Sequence, residues 1–311
     1  MLESLLERFE HGDRLALSRL LSQVSQGQRI SEIVSHLKPS ATPSRVIAFT
    51  GSAGVGKSTL IGKLIELVRH DNRRVAVLAC DPQSPLSGGA LLGDRFRMPT
   101  QVDDDGVFIR SLAAAHGALA EHLEPMIRLL EAFGFDTIFI ETVGAGQGDT
   151  AVMEVADATV VLVQPEAGDD LQWEKAGLLE IANIVVVNKG DLPKADYVEG
   201  QVRAILGLTD GRDVPVIRVS AKTGEGLDKL WQSIQSLPMR ERRDTSAAEL
   251  LRLAQDALGS WFARAVADKR VEVLQLIERW DRHDLPPYEV VARLFELAHN
   301  ELLSEAIESR N

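Results

Sequence analysis

Residues Gly51-Ser52-Ala53-Gly54-Val55-Gly56-Lys57-Ser58-Thr59 follow a short apolar run and open a stretch with helical spacing. That is the context in which G-x-x-x-x-G-K-[ST] cradles phosphate. Glycines let successive backbone N–H groups curl round phosphate oxygens at a helix N-terminus, where the peptide dipoles favour negative charge. In this pattern Lys57 reaches the β- and γ-phosphates and the Ser58 hydroxyl ligates Mg²⁺.

Asn188-Lys189-Gly190-Asp191 stands directly after the run Ile184 to Val187, where an N-K-x-D base-reading motif belongs. A carboxylate at Asp191 accepts from both the N1–H and the exocyclic amine of guanine. Adenine lacks that pair of donors and would leave the acceptor unpaired, so GTP rather than ATP is the expected nucleotide. Ser220-Ala221-Lys222, after the last apolar run, matches the second base-side motif, whose backbone and lysine flank the ring. The chain has 25 arginines and only 9 lysines, and Lys57, Lys189 and Lys222 fall in these three segments.

Three acids complete the candidate chemistry. Glu141 ends the run Thr137 to Glu141 and is followed three residues later by Gly144, whose N–H can sense a γ-phosphate. Glutamate here, where small Ras-like GTPases usually carry aspartate, points away from that branch. Asp81, at the end of a second run, and Asp94, in Leu92-Gly93-Asp94-Arg95, are the other acids placed to hold Mg²⁺ or its waters beside Ser58.

These residues need a scaffold that brings strand ends together. The apolar runs are Val46 to Thr50, Val75 to Cys80, Val107 to Arg110, Thr137 to Glu141, Thr159 to Gln164, Ile184 to Asn188 and Val216 to Ser220. They are continuous rather than alternating, as in strands buried on both faces, and helical stretches between them supply parallel crossovers. The expected fold class is α/β: a P-loop NTPase with a doubly wound, mostly parallel sheet over residues 45–238. Residues 1–44 read as an N-terminal helical extension, closed by Pro39 and Pro43. Residues 239–311 read as a C-terminal helical arm beyond Leu237-Pro238, with helical spacing from Ala247 to Trp280 and again after Pro286-Pro287. Periodicity leaves open whether that arm packs on its own domain or on a second subunit.

Composition narrows the partners. The 311 residues carry a formal charge of −12, which disfavours nonspecific attraction to nucleic acid or anionic lipid. No apolar run approaches the roughly 20 residues of a membrane span, and the opening Met1-Leu2-Glu3-Ser4-Leu5-Leu6-Glu7-Arg8 lacks the form of a secretory signal. With Cys80 as the one cysteine, a cytoplasmic protein without disulfides is expected.

Asp81-Pro82-Gln83-Ser84, Gly88-Gly89-Ala90-Leu91-Leu92-Gly93-Asp94-Arg95, Glu141-Thr142-Val143-Gly144-Ala145-Gly146-Gln147, Gly168-Asp169-Asp170-Leu171-Gln172 and Lys175-Ala176-Gly177-Leu178-Leu179-Glu180-Ile181-Ala182 together resemble the methylmalonyl-CoA mutase accessory GTPases of the MeaB, ArgK and MMAA type. The resemblance implies a slow GTPase that acts as a G-protein chaperone. It would gate cofactor loading and protection of an adenosylcobalamin-dependent acyl-CoA mutase, be stimulated by that mutase, and carry no cobalamin site itself. It also implies that Asp81, Asp94 and Glu141 are Mg²⁺ and catalytic-site acids, that residues 168–175 form an extra switch including Lys175, and that the C-terminal helices make a homodimer. The chain departs from the family pattern at Gln83, Arg95-Phe96, Gly148-Asp149, Asn183 and Ala113-Ala114-Ala115-His116-Gly117. The competing readings are a metal-insertion GTPase, a GTP-dependent binding module without significant hydrolysis, and a protein kinase.

Overall fold

The computed structural model describes residues 2–38, 40, 42–82, 104–114, 122–142, 155–165, 178–207, 213–240 and 247–308. Seven strands form one sheet: β1 (Arg45–Gly51), β2 (Val75–Pro82), β3 (Val107–Ala114), β4 (Thr137–Glu141), β5 (Ala158–Val163), β6 (Ile184–Val187) and β7 (Val216–Arg218). Their order is β3-β2-β4-β1-β5-β6-β7, and every pairing is parallel. The sheet is thus wholly parallel among the described residues, and each apolar run of the sequence became one strand. β3 extends four residues past its expected end because β2 pairs with it as far as Pro82 against Ala114. β7 stops two residues short because the chain turns there, with Ser220 N donating to Glu225 O at 3.0 Å.

Alternate residues of each strand feed opposite faces, as the period of two requires. Val46 and Ala48 join the core under the helices α1 (Leu2–Glu10), α2 (Arg14–Ser25), α3 (Ile30–His36) and α5 (Leu123–Ala132). Ile47 and Phe49 join a second core with α4 (Lys57–His70) and α7 (Leu227–Ser236), where Phe139 meets Phe49 edge-on at 5.3 Å and Trp231 at 6.4 Å. Val161, Val163, Val185 and Val187 pack with α6 (Ala195–Leu206). Fully burying a side chain of this size contributes about 1.5–3 kcal/mol, so these layers hold the strand ends in place.

The three helices before β1 share one core with α5 and the sheet. Asp13 caps α2 by accepting from Leu15 N at 2.8 Å and Ala16 N at 3.2 Å. Arg14 then donates to Asp105 O and Val107 O at 2.7 and 2.5 Å, fastening α2 along the β3 edge of the sheet.

The chain divides into two compact units, Met1–Arg240 and Glu241–Asn311. The second contains α8 (Ala247–Ala267), α9 (Val271–Asp281) and α10 (Pro287–Glu308) around Trp261, Ala265, Val273 and Ala298. The stretch from Ala247 to Trp280 is two helices. They part at Lys269, whose φ of 53° is left-handed, with Lys269 N bonded to Val266 O and Arg270 N to Ala265 O, both at 3.0 Å. Among the described residues no helix is long and apolar enough to cross a membrane.

Candidate functional site

All the candidate residues that the structure describes sit at the carboxyl ends of the parallel strands. That is where open α/β sheets leave a crevice when the chain changes direction across the sheet. Here the chain moves from β1 toward β2 and β3, returns to β4, then crosses to β5, β6 and β7.

Gly51 to Gly56 link β1 to α4. Gly56 has φ 94°, and a Cβ there would lie 2.5 Å from Asn188 Nδ2. The backbone torsion and the close side chain both require glycine. Asn188 is buried and donates through Nδ2 to Val55 O at 2.8 Å, so the loop after β6 is tied to the loop after β1. Gly56→Ala is expected to push Asn188 off Val55 and strain the turn, lowering GTP affinity by at least about tenfold in calorimetric titration. Unchanged affinity would contradict that coupling.

Lys57 and Ser58 open α4 and are both buried. Lys57 Nζ donates to Gly51 O at 2.7 Å and Ser52 O at 3.3 Å, which folds its ammonium back over the loop. Ser58 Oγ donates to Glu141 Oε1 at 2.7 Å. This contact exists because β4 lies beside β1 and delivers Glu141 to the first turn of α4. The bond uses the hydroxyl proton and leaves Oγ lone pairs next to a buried carboxylate. Hard oxygen donors of this kind suit Mg²⁺, which is commonly held by one or two protein groups plus phosphate and water.

The base-side residues converge separately. Gly56, Thr59, Asn188, Lys189, Asp191, Leu192, Ser220, Ala221 and Lys222 line a cleft of about 280 Å³. Ser220 Oγ donates to Asp191 Oδ1 at 2.6 Å, and Gly190 N to Val219 O at 2.9 Å. The Ser220 bond, assisted by a backbone amide and the Lys222 charge, holds the Asp191 carboxyl below the usual aspartate range. A carboxylate with a depressed pKa stays charged in mild acid, and its contribution to base binding is lost only as pH falls through the lowered value. Ser220→Ala removes the largest cause of that depression. The acid loss of GDP affinity, titrated from about pH 7 to pH 4, should then begin at higher pH than in the parent. Coincident profiles would sink the assignment.

Asp94, Gly144 and Lys175 lie outside the described residues, as does the Asp81 side chain. Leu192 joins the base-side cleft without having been singled out in the sequence; its place immediately after the N-K-x-D motif was the available signal. Asn183, one of the departures, has a local structural task, since its Oδ1 accepts from Thr159 N at 2.8 Å. A larger cleft of about 370 Å³, lined by residues of α1, the end of α3 and the end of α5, contains none of the candidate residues. Among the described residues no three His, Cys, Asp or Glu side chains converge as a metal site.

A parallel doubly wound sheet, with a phosphate-type loop after β1 tied to an N-K-x-D loop after β6, defines a P-loop GTPase. Comparison with known proteins agrees. Residues 17–273 match the family model described as methylmalonyl-CoA mutase-associated GTPase MeaB. A protein of Pyrococcus abyssi that bears the name of a GTPase is 37% identical over 305 residues, covering 93% of this chain and 94% of its own. GTPase ArgK of Escherichia coli is 28% identical over 292 residues, covering 89% and 87% respectively. Among solved structures, a LAO/AO transport system kinase superposes with a TM-score of 0.61 at 22% identity, over 96% of this chain and 97% of that one, and shares the fold. The chain belongs to the MeaB family of methylmalonyl-CoA mutase-associated GTPases.

Proposed function

We propose that this GTPase couples GTP binding and hydrolysis to the servicing of an adenosylcobalamin-dependent acyl-CoA mutase, gating the loading and protection of the mutase's cofactor. The observation that carries the client is the family match across residues 17–273, which spans both nucleotide loops.

In this reading residues 51–59 wrap the phosphates of GTP, with Lys57 turning its ammonium from loop carbonyls to the β- and γ-oxygens. Asn188 and Asp191 read the guanine edge, while Lys189, Ser220, Ala221 and Lys222 flank the ring. Ser58 and Glu141, with Asp81 and Asp94, would hold Mg²⁺. The ion would supply positive charge against the negative charge that develops on the phosphates during transfer. Gly144 senses the γ-phosphate, whose contacts order the segments around Asp81, Glu141 and residues 168–175; the last of these, including Lys175, relays nucleotide state to the mutase, and hydrolysis collapses that order. Turnover of the isolated protein is slow because positioning groups are completed only by the client. The cobalamin and its radical chemistry belong to the mutase.

The protein works in the reducing cytoplasm as a homodimer. Cys80, its one cysteine, is buried, and Trp280, Tyr288, Val291 and Phe295 on α9 and α10 are exposed apolar side chains that a second copy could cover.

The test is GTP hydrolysis by the purified protein, alone and with each adenosylcobalamin-dependent acyl-CoA mutase of the same organism, with ATP as control. One mutase is expected to accelerate GTP turnover while ATP stays inert. Hydrolysis indifferent to every such mutase would overturn the client assignment.

A further inference from the structure

Arg218 closes β7, and its side chain lies against the Asn188–Asp191 loop. A Cβ placed on Gly190 would overlap Arg218 Cγ, and would sit 3.0 Å from its Cδ and 3.2 Å from Val219 O. Gly190 is not among the residues with positive φ. The stem of Arg218, rather than a backbone torsion, is therefore the main reason this position of the N-K-x-D motif needs glycine.

The next two residues hold the same loop, through Val219 O accepting from Gly190 N and Ser220 Oγ donating to Asp191. The far end of Arg218 is anchored on α6, the helix into which the loop leads. Its Nε and Nη2 donate to Glu199 Oε2 at 3.2 and 2.8 Å, and Nη2 also donates to Asp196 Oδ1. Glu199 is gripped a second time by Arg203 at 2.9 and 3.2 Å, and Arg203 reaches Val216 O at 3.1 Å. Side-chain exposures of 34% for Arg218 and 22% for Glu199 leave this pair less screened than a fully exposed one. Burial opposes ionisation of Glu199, yet the two arginines outweigh it and hold the carboxyl below the ordinary glutamate range.

We propose that Arg218 is a positioning residue for base recognition: its stem fills the space beside Gly190, and its guanidinium, tied to Asp196 and Glu199, sets the loop so that Asp191 faces the base cleft. Arg218 does not line that cleft and acts through the loop. The inference rests on Asp191 being the guanine contact.

The full-length chain carries the test, with Arg218→Ala, Arg218→Lys, Gly190→Ala and the double variant Gly190→Ala/Arg218→Ala. Readouts are GDP and ADP affinity, KM and kcat for GTP, and the unfolding midpoint. Arg218→Ala should weaken GDP binding and raise KM by about tenfold, narrow the GDP-over-ADP preference, and leave kcat within about twofold. Arg218→Lys keeps the stem and a charge but loses the planar fork that bonds Glu199 and Asp196 together, so it should fall between Arg218→Ala and the parent. Gly190→Ala alone should be at least as damaging as Arg218→Ala. The double variant should be no worse than either single one, because truncating the stem makes room for the new methyl group.

A lowered unfolding midpoint with an intact GDP-over-ADP ratio and KM would mark Arg218 as purely structural and overturn the proposal. So would independent, additive losses in the double variant. A parent protein that binds ADP as well as GDP would instead overturn the reading of Asp191, and the proposal with it. If Arg218→Ala does not fold, Arg218→Lys and Gly190→Ala decide the matter through the same ratio.

Discussion

Lys57→Ala is expected to lower single-turnover GTP hydrolysis by about 10²- to 10³-fold, the cost of deleting one preorganised donor at developing phosphoryl charge. GTP affinity should fall by at least about tenfold in the same variant. The effect is large because of where the ammonium is held. Lys57 is buried at the first turn of α4, and its Nζ is satisfied by the carbonyls of Gly51 and Ser52. A buried ammonium must keep such partners. Phosphate oxygens carry full charge and form stronger bonds than neutral carbonyls, so a bound triphosphate can draw the group across a short distance without desolvating it again. Lys57→Arg should not rescue, because a planar fork does not replace a compact ammonium inside a closed loop. Calorimetry separates binding from chemistry; if both stayed at parental values, the phosphate site would have to be elsewhere.

Asp191→Asn should exchange one nucleotide preference for another. Asp191 keeps its charge through neutral and mildly acidic solution, with Ser220 Oγ holding Oδ1. A carboxylate there accepts from two guanine donors, whereas an asparagine amide offers one acceptor and one donor group. The mismatch leaves polar groups unpaired in the complex, so GTP affinity is expected to fall by about 10²- to 10³-fold. Xanthine carries a carbonyl where guanine carries the exocyclic amine. The same variant should therefore bind XTP more tightly than the parent does, while hydrolysis of saturating XTP approaches the parental rate with GTP. Competition between GTP, XTP and ATP measures all three. Retained GTP affinity would remove Asp191 from base recognition.

Both substitutions act on segments that are legible in the sequence alone. The phosphate loop and the N-K-x-D motif are contiguous, and each sits at the end of an apolar run, so local sequence carries both the chemistry and its placement on a strand end. The seven strands were equally visible, because a sheet covered on both faces demands unbroken apolar runs. β1, β4, β5 and β6 are buried almost throughout. Family membership followed from whole motifs in order, which is again information along the chain.

Strand order, by contrast, was decided in three dimensions. β4 inserts between β1 and β2, and that placement alone brings Glu141 to Ser58, 83 positions away in the chain. No periodicity encodes a contact of that separation, since it depends on which edge each crossover returns to. The division of the C-terminal stretch at Lys269 was hidden because a lysine, rather than the usual glycine, takes the left-handed torsion that ends α8. The demand for glycine at position 190 was likewise invisible. It arises from the stem of Arg218 arriving from another strand, with its guanidinium fixed by two acids on α6. The sequence by itself determined which segments carry the phosphate-loop and N-K-x-D patterns, because those are short-range patterns of residue type. Tertiary packing decided which acid meets the loop hydroxyl and which side chains pack against the loop after β6, because both depend on side chains that meet only after the sheet has closed.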